Sequence, residues 1–407
     1  MEPESSTTKT VSKVDRKAYL SSAAVKLAGK VETPQRDDTE WPSASAYGGG
    51  ASLAGRLSVG KWRSELEVFG SDSRVSLTVL AAGITRTSTE ASASATSSEG
   101  IHSKFKPGVR WNICIHYPIK HDSVHDLVPA AAKVWEIDLG HAHEFPGMIP
   151  MLKKAGKFVI CYFNAGAVQT WDDDKIQFPD DSIGKALYYP YSTEEFYVDI
   201  RDKRVLDIMK ARLRSAVQVG CDGVDPDNVD AWVQDGNDPT GFSLKPFDYA
   251  TYLKNMAEYA HSLITQQCRP LLVRQKNAPE FVEGLVSTLD FAVLEQCRGI
   301  SEDGEHTYPF CSDFQSYIDA RKPVLQIEYP PSISKFDGAV SASDKLFYCK
   351  VENGDKDFSK ILKWASDRLD SWGEFCHGEP FRIAEADYDS EYHGEIHGGE
   401  HPIYLMI

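Results

Sequence analysis

Eight short apolar, β-branched runs, separated by stretches with helical periodicity, constrain the fold of this chain more than any other feature. They are Val109 to Ile115, Val134 to Leu139, Phe158 to Phe163, Phe196 to Ile200, Asp222 to Asp225, Leu271 to Gln275, Phe291 to Leu294 and Val324 to Ile327. Short near-continuous apolar strands alternating with amphipathic helices argue for a parallel sheet covered by helices. The clearest helix is Lys203 to Val219, in which Leu206, Met209, Leu213 and Val217 recur at spacings of three and four. Asp202 is placed to cap its start and Gly220 its end. Pro146 to Ala155, closed by Gly156, and Asp248 to Leu263 carry the same pattern. Eight such units in roughly 250 residues predict the closed α/β form, a (β/α)8 TIM barrel. An open doubly wound sheet is the alternative, but where its glycine-rich turn would follow the first strand this chain has His116, Tyr117 and Pro118.

The barrel is expected over residues 106–376 of the 407. Residues 1–105 read as a largely disordered Ser/Thr/Gly-rich tail and linker, with Gly48 to Gly50 and the tract TSTEASASATSS from Thr87 to Ser98. Residues 377–407 read as a polar tail, in which His393, His397 and His401 are solvated rather than metal-bound. Charge divides the chain at the same place. The first 104 residues carry 13 basic and 12 acidic side chains, so the net charge of −16 belongs to the remainder. That charge repels phosphate backbones and excludes nucleic acid as a natural partner. No apolar run approaches the roughly 20 residues of a membrane helix. All eight cysteines fall between Cys114 and Cys376. Cys161, inside FVICYF, reads as a buried thiol, whereas Cys297 with Cys311 and Cys349 with Cys376 flank loop-like stretches and suit bridges. No pair has zinc-site spacing, so neither metal nor organic cofactor is implied. The first residues lack the apolar core and cleavage site of a secretory signal.

In a barrel of this type chemistry sits at the C-terminal ends of the strands. Those ends are acidic here: Asp138, Asp199 with Arg201 beyond it, Asp225, Asp227, Glu295 and Glu328, with Asn164, Lys276 and Asn277 between them. Carboxylates converging on one mouth repel one another unless they bind something or share protons. Two carboxylic acids are the minimum equipment for cleaving a glycoside, one to protonate the leaving oxygen and one to attack the anomeric carbon or activate water. Asp227 and Glu295 are the expected pair. A salt bridge to Arg201, Lys276 or Arg298 is the structural alternative for any single acid. Trp111, Trp135, Tyr162, Trp232 and Tyr329 lie near the same ends. Trp135 reads as core, and Trp232, in a polar loop, as a platform for a sugar face.

The segments WEIDL (Trp135 to Leu139), GKFVICYFNAG (Gly156 to Gly166), VDIR (Val198 to Arg201), GCDGVDPDNVD (Gly220 to Asp230), Lys276 with Asn277, EQC (Glu295 to Cys297) and IEYP (Ile327 to Pro330) occur in that order. Over residues 108–376 this resembles glycoside hydrolase family 114, the endo-α-1,4-polygalactosaminidase type. The resemblance implies endo-cleavage of galactosamine polymers, with Asp227 as nucleophile or base and Glu295 as acid or acid/base. It leaves Asp222 and Asp225 as rivals of Asp227, and implies a Cys297–Cys311 bridge. Asp138, Asn164, Asp199, Arg201, Asp222, Asp225, Asn228, Trp232, Lys276, Asn277, Glu328 and Tyr329 are the expected substrate-binding residues. The chain departs from the family pattern at Asn164, where a Ser is usual, and at Tyr188, Tyr189 and Tyr191, where a Trp is expected. A cationic amino-sugar polysaccharide is the expected partner, the protein a monomer, and the setting extracellular or at the cell surface. A glycan-binding barrel without catalysis, or a glycosidase for an N-acetylated or mixed galactosamine glycan, is the alternative.

Overall fold

The apolar runs do assemble into a parallel sheet. The computed structural model describes residues 105–188, 191–234, 236–300, 308–333, 338–351, 354–364 and 369–386, and the backbone of two strands earlier in the chain. The chain divides into two units, 1–86 and 87–407. In the first, Glu65–Gly70 pairs antiparallel with Ser73–Thr78. The remaining positions of the expected N-terminal linker, with Gly48 to Gly50 and the Thr87 to Ser98 tract, lie outside the described residues, as do the histidines of the C-terminal tail.

The second unit holds eight parallel strands: β1 (Trp111–Cys114), β2 (Val134–Asp138), β3 (Phe158–Asn164), β4 (Gly223–Asp227), β5 (Leu272–Lys276), β6 (Phe291–Glu295), β7 (Val324–Glu328) and β8 (Ser359–Leu362). Each pairs in parallel with the next. Side chains span the seam between β8 and β1. Trp111 Nε1 donates to the Ser359 carbonyl at 2.6 Å, and Lys363 Nζ to the Ile113 carbonyl at 2.9 Å. The fold is therefore the expected (β/α)8 barrel, with one exchange of strands. Phe196 to Ile200 is not a barrel strand: Glu195–Val198 pairs antiparallel with Ala167–Gln169 and Ile183–Ala186 in a separate three-stranded sheet between β3 and β4. The missing barrel strand is β8, which carries only four residues; Lys360 interrupts its apolar character and Lys363 follows it directly.

The expected helices form as Met148–Lys154, Lys203–Val219 and Pro246–Ser262. The second begins where Asp202 accepts the Arg204 amide at 2.8 Å and ends at Gly220, whose φ of 107° is left-handed. Its buried face runs through Val205, Ile208, Met209, Arg212, Leu213 and Ala216, with Leu206 and Val217 at its margin.

Three cystines form: Cys161–Cys221, Cys297–Cys311 and Cys349–Cys376. The last two are those expected. Cys161 is not a free thiol; it faces the outside of β3, where the turn leading into β4 brings Cys221 beside it.

Because paired residues of neighbouring strands face the same side, strand register fixes what fills the barrel. Val134 and Glu136 (β2), Ile160 and Tyr162 (β3), Asp225 and Asp227 (β4), Arg274 and Lys276 (β5), and Val293 and Glu295 (β6) share the inner face. Near the N-terminal ends of β3 and β6, Phe105 stacks on Phe158 at 4.3 Å and meets Phe291 edge-on at 5.1 Å. Replacing Phe105 with Ala removes a ring buried at the base of the barrel. It should lower unfolding free energy by about 3 to 5 kcal/mol, measured by urea denaturation; a loss below about 1 kcal/mol would show that the ring does not seal this end.

Candidate active site

β5 lies between β4 and β6, so the last inward-facing residues of the three strands stand side by side at the C-terminal mouth. They are Asp227, Lys276 and Glu295. The Lys276 ammonium lies 2.7 Å from Glu295 Oε2 and 3.4 Å from Asp227 Oδ1. Those two oxygens can therefore be no farther apart than the sum of the two contacts. Each carboxylate has further donors. Tyr162 Oη donates to Asp227 Oδ2 at 3.1 Å and Arg274 Nη2 to Asp227 Oδ1 at 3.2 Å, while Tyr329 Oη donates to Glu295 Oε1 at 2.5 Å. Both acids keep about a fifth of their side-chain surface open, at 19% and 21%.

Backbone contacts fix the frame. The Asp227 carbonyl accepts the Ala165 and Gly166 amides, both at 2.9 Å, and Asn277 Oδ1 accepts the Glu295 amide at 2.9 Å. Gly166 passes so close to Asn228 that a Cβ there would stand 1.6 Å from the Asn228 carbonyl oxygen, so no other residue fits. Asn228 and Asn277 both adopt positive φ, 57° and 36°, as the chain turns away from its strands.

Opposed effects set the charges. Burial acts to raise the Glu295 carboxyl, but the Lys276 ammonium, the Tyr329 hydroxyl and Arg274 outweigh it and hold the group below the ordinary carboxylate range. Burial acts to lower Lys276, and Asp227 and Glu295 outweigh it, so the ammonium is held above its usual value. Glu295 and Lys276 therefore rest as an ion pair, with Asp227 Oδ1 3.4 Å from the same ammonium. Two neighbouring acids are shifted the other way: burial, with Asp227 adding to it, pushes Asp230 up to about 6, and burial pushes Glu195 up to about 7.

The other expected residues divide. Asn164, in register with Asp227, donates to Glu195 Oε2 at 2.8 Å and accepts the Ala167 amide, so it braces the rim. Asp225 lies inside the barrel beneath Asp227, ion-paired with Arg274. Asp138 ends β2 and caps the helix Leu139–Glu144 through the His141 amide at 2.9 Å.

Five of the expected residues lie away from the mouth. Asp222 precedes β4 at the opposite end of the barrel, where it accepts the Val159 amide at 2.8 Å and pairs with Lys153, so it cannot rival Asp227. Asp199 and Arg201 pair with each other at 2.8 Å, and Arg201 also donates to the Phe242 carbonyl, because their strand belongs to the inserted sheet. Glu328 faces outward; it accepts Gln326 Nε2 at 2.7 Å, burial pushes it up to about 7, and the mouth position passes to Tyr329. Trp232 is not a platform. Only 8% exposed, it packs on Phe281 at 5.0 Å and Tyr249 at 6.2 Å.

Sequence reading missed Arg274, Glu195 and Asp230, and gave Tyr162 no role as a donor to Asp227. Arg274 and Tyr162 each precede an expected site residue, Lys276 and Asn164, by two positions, so strand alternation would have found them. Glu195 had no such signal, because it reaches Asn164 from the inserted sheet.

A candidate ligand group of Cys297, Cys311 and Glu328 has donor atoms within 4.8 Å of one another, but its two sulfurs are joined in a cystine. Among the described residues no helix is long and apolar enough to cross a membrane.

If Lys276 sets the charge on Glu295, Lys276→Met should raise the Glu295 carboxyl by about one to three pH units. Carbon-13 NMR of carboxyl-labelled glutamate would read the shift, and an unmoved titration would remove Lys276 from this role.

Among curated protein sequences none matches the chain. A crystal structure of Aspergillus fumigatus Ega3 in complex with galactosamine superposes with a TM-score of 0.55 at 31% identity, covering 67% of this chain and 96% of that one. The glycoside hydrolase domain of PelA from Pseudomonas aeruginosa matches at 13% identity with a TM-score of 0.44, covering 65% of this chain and 97% of that one. The family model of glycoside-hydrolase family GH114 matches residues 91–380, so the chain belongs to that family.

Proposed function

We propose that this protein is an endo-acting glycoside hydrolase that cleaves α-1,4-linked galactosamine polymers, with Asp227 and Glu295 as its acid pair. The observation that carries the reading is the single ammonium shared by two partly open carboxylates at the C-terminal mouth of the barrel. Asp227 attacks the anomeric carbon as the glycosidic bond breaks, and Glu295, ionised at rest beside Lys276, first takes a proton from solvent and then delivers it to the departing oxygen. Water then reverses the roles: Glu295 takes its proton, and the hydroxide equivalent displaces Asp227. The contacts to Lys276 keep Glu295 Oε2 and Asp227 Oδ1 no farther apart than the sum of the two, a limit that lies above the about 5 to 5.5 Å typical of retaining enzymes and under the roughly 6.5 to 9.5 Å that leaves room for a water between acid and base. Retention of anomeric configuration is the outcome this favours.

The substrate class follows from charge. Deacetylated galactosamine is an ammonium near neutral pH, and the mouth gathers Asp227, Asp230 and Glu295. Ega3 was crystallised with galactosamine, which supports the same sugar here. Three cystines support an oxidising, extracellular setting, and a monomer suffices because both acids come from one chain.

Asp227→Asn and Glu295→Gln should each cut release of reducing ends from polygalactosamine by at least about a hundredfold. Wild-type turnover in both would end the assignment, and binding without products in the parent would make the barrel a glycan-binding module. Comparison of deacetylated with fully N-acetylated polymer tests the amino-sugar specificity. Parent activity should also fall as ionic strength passes about 0.15 M, where screening shortens to about 8 Å; indifference to salt counts against charge-led recognition.

A further inference from the structure

Glu136, in the WEIDL segment, takes no part in the chemistry above. It sits on the inner face of β2, in register with Ile113 and Ile160, and is 0% exposed. Both carboxyl oxygens are buried without a hydrogen-bond partner among the described residues. Across the barrel, Arg274 is equally buried and commits one nitrogen to Asp225 and Asp227, while its Nε and Nη1 are unpaired.

Other groups around Glu136 are accounted for from each side. β4 presents Asp225 and Asp227, β5 Arg274 and Lys276, β6 Glu295, and β3 the Tyr162 hydroxyl, which donates to Asp227. On the β8 side, Lys363 is committed to the Ile113 and Asp370 carbonyls. With every acid ionised, the inner face would hold five carboxylates, counting Asp138, which has the His141 amide as its donor, against the three cations Arg274, Lys276 and Lys363. An excess of buried negative charge is relieved by protonation, and the proton goes to the carboxylate that has no donors of its own. Asp225, Asp227 and Glu295 each have one or more. Glu136 has none, and burial accordingly pushes it up to about 7.

We propose that Glu136 is a positioning residue that carries a proton in the working enzyme, so that Arg274 stays committed to Asp225 and Asp227. An ionised Glu136 competes with Asp227 for the guanidinium and loosens the nucleophile. The effect on rate rests on the role proposed above for Asp227; the stored proton does not.

The test uses the full chain and Glu136→Gln, which keeps the size and neutrality of the protonated acid. A carboxyl raised by folding stabilises the fold fully below its unfolded value, near 4.3, and loses that contribution as pH rises towards 7. The parent's Tm should therefore fall relative to the variant's between about pH 4.5 and 7, and the difference should level off above. On polygalactosamine, the ratio of the variant's kcat to the parent's should rise from about one below pH 6 to about threefold or more at pH 8, with KM unchanged. A Tm difference independent of pH, or a kcat ratio that stays flat, overturns the proposal. Failure of Glu136→Gln to fold overturns it as well, since a neutral replacement is harmless only where the native group is neutral. Asp227→Asn run in parallel separates the two readings: if it remains active, the proposed chemistry fails while the Tm comparison still decides where the proton resides.

Discussion

One ammonium group makes the mouth of this barrel possible. Asp227 and Glu295 end strands separated by only one other, in a site closed enough that their mutual repulsion would be large, and Lys276 from the intervening strand lies within ion-pairing distance of both. Tyr162, Arg274 and Tyr329 supply the remaining donors. Removing a buried partner from such a network strands a charge, which costs more than the pair contributes. The acids and the lysine are thus one electrostatic unit, whose negative charge is only partly compensated.

Much of this was legible in the sequence because barrel strands advertise themselves. Seven of the eight apolar runs became barrel strands, and the two acids at the ends of GVDPD and FAVLE came out on one rim. What misled the reading was local resemblance between different kinds of strand. Glu195–Val198 is as apolar and β-branched as a barrel strand, yet it pairs antiparallel in the insertion, and Asp199 and Arg201 left the mouth with it. The true eighth strand hid because Lys363 looks like a solvent-facing residue. It is buried and donates to the Ile113 and Asp370 carbonyls, a role that depends on chain 250 positions away.

Side-chain direction was the second gap. Glu328 and Tyr329 are adjacent, and only one can face inward; composition offered the acid and the register chose the tyrosine. Asp222 and Asp227 bracket one five-residue strand, so they stand at opposite ends of the barrel despite sharing a motif. The loop position of Trp232 suggested exposure, but the chain folds it back onto Phe281 and Tyr249. These outcomes are set by contacts far apart in the chain, which a single sequence records only through alternation.

The Cys161–Cys221 cystine has a further consequence. It joins residues 60 positions apart and so closes a covalent ring around the whole excursion between β3 and β4, which includes the sheet carrying Glu195 and the helix Lys203–Val219. With its two ends fastened, that excursion can gain or lose residues at a cost that grows only with the logarithm of its length. The wall of the cleft on this side is therefore free to drift in evolution, and new glycan preferences can arise there without disturbing the strands that hold Tyr162 and Asp227 together.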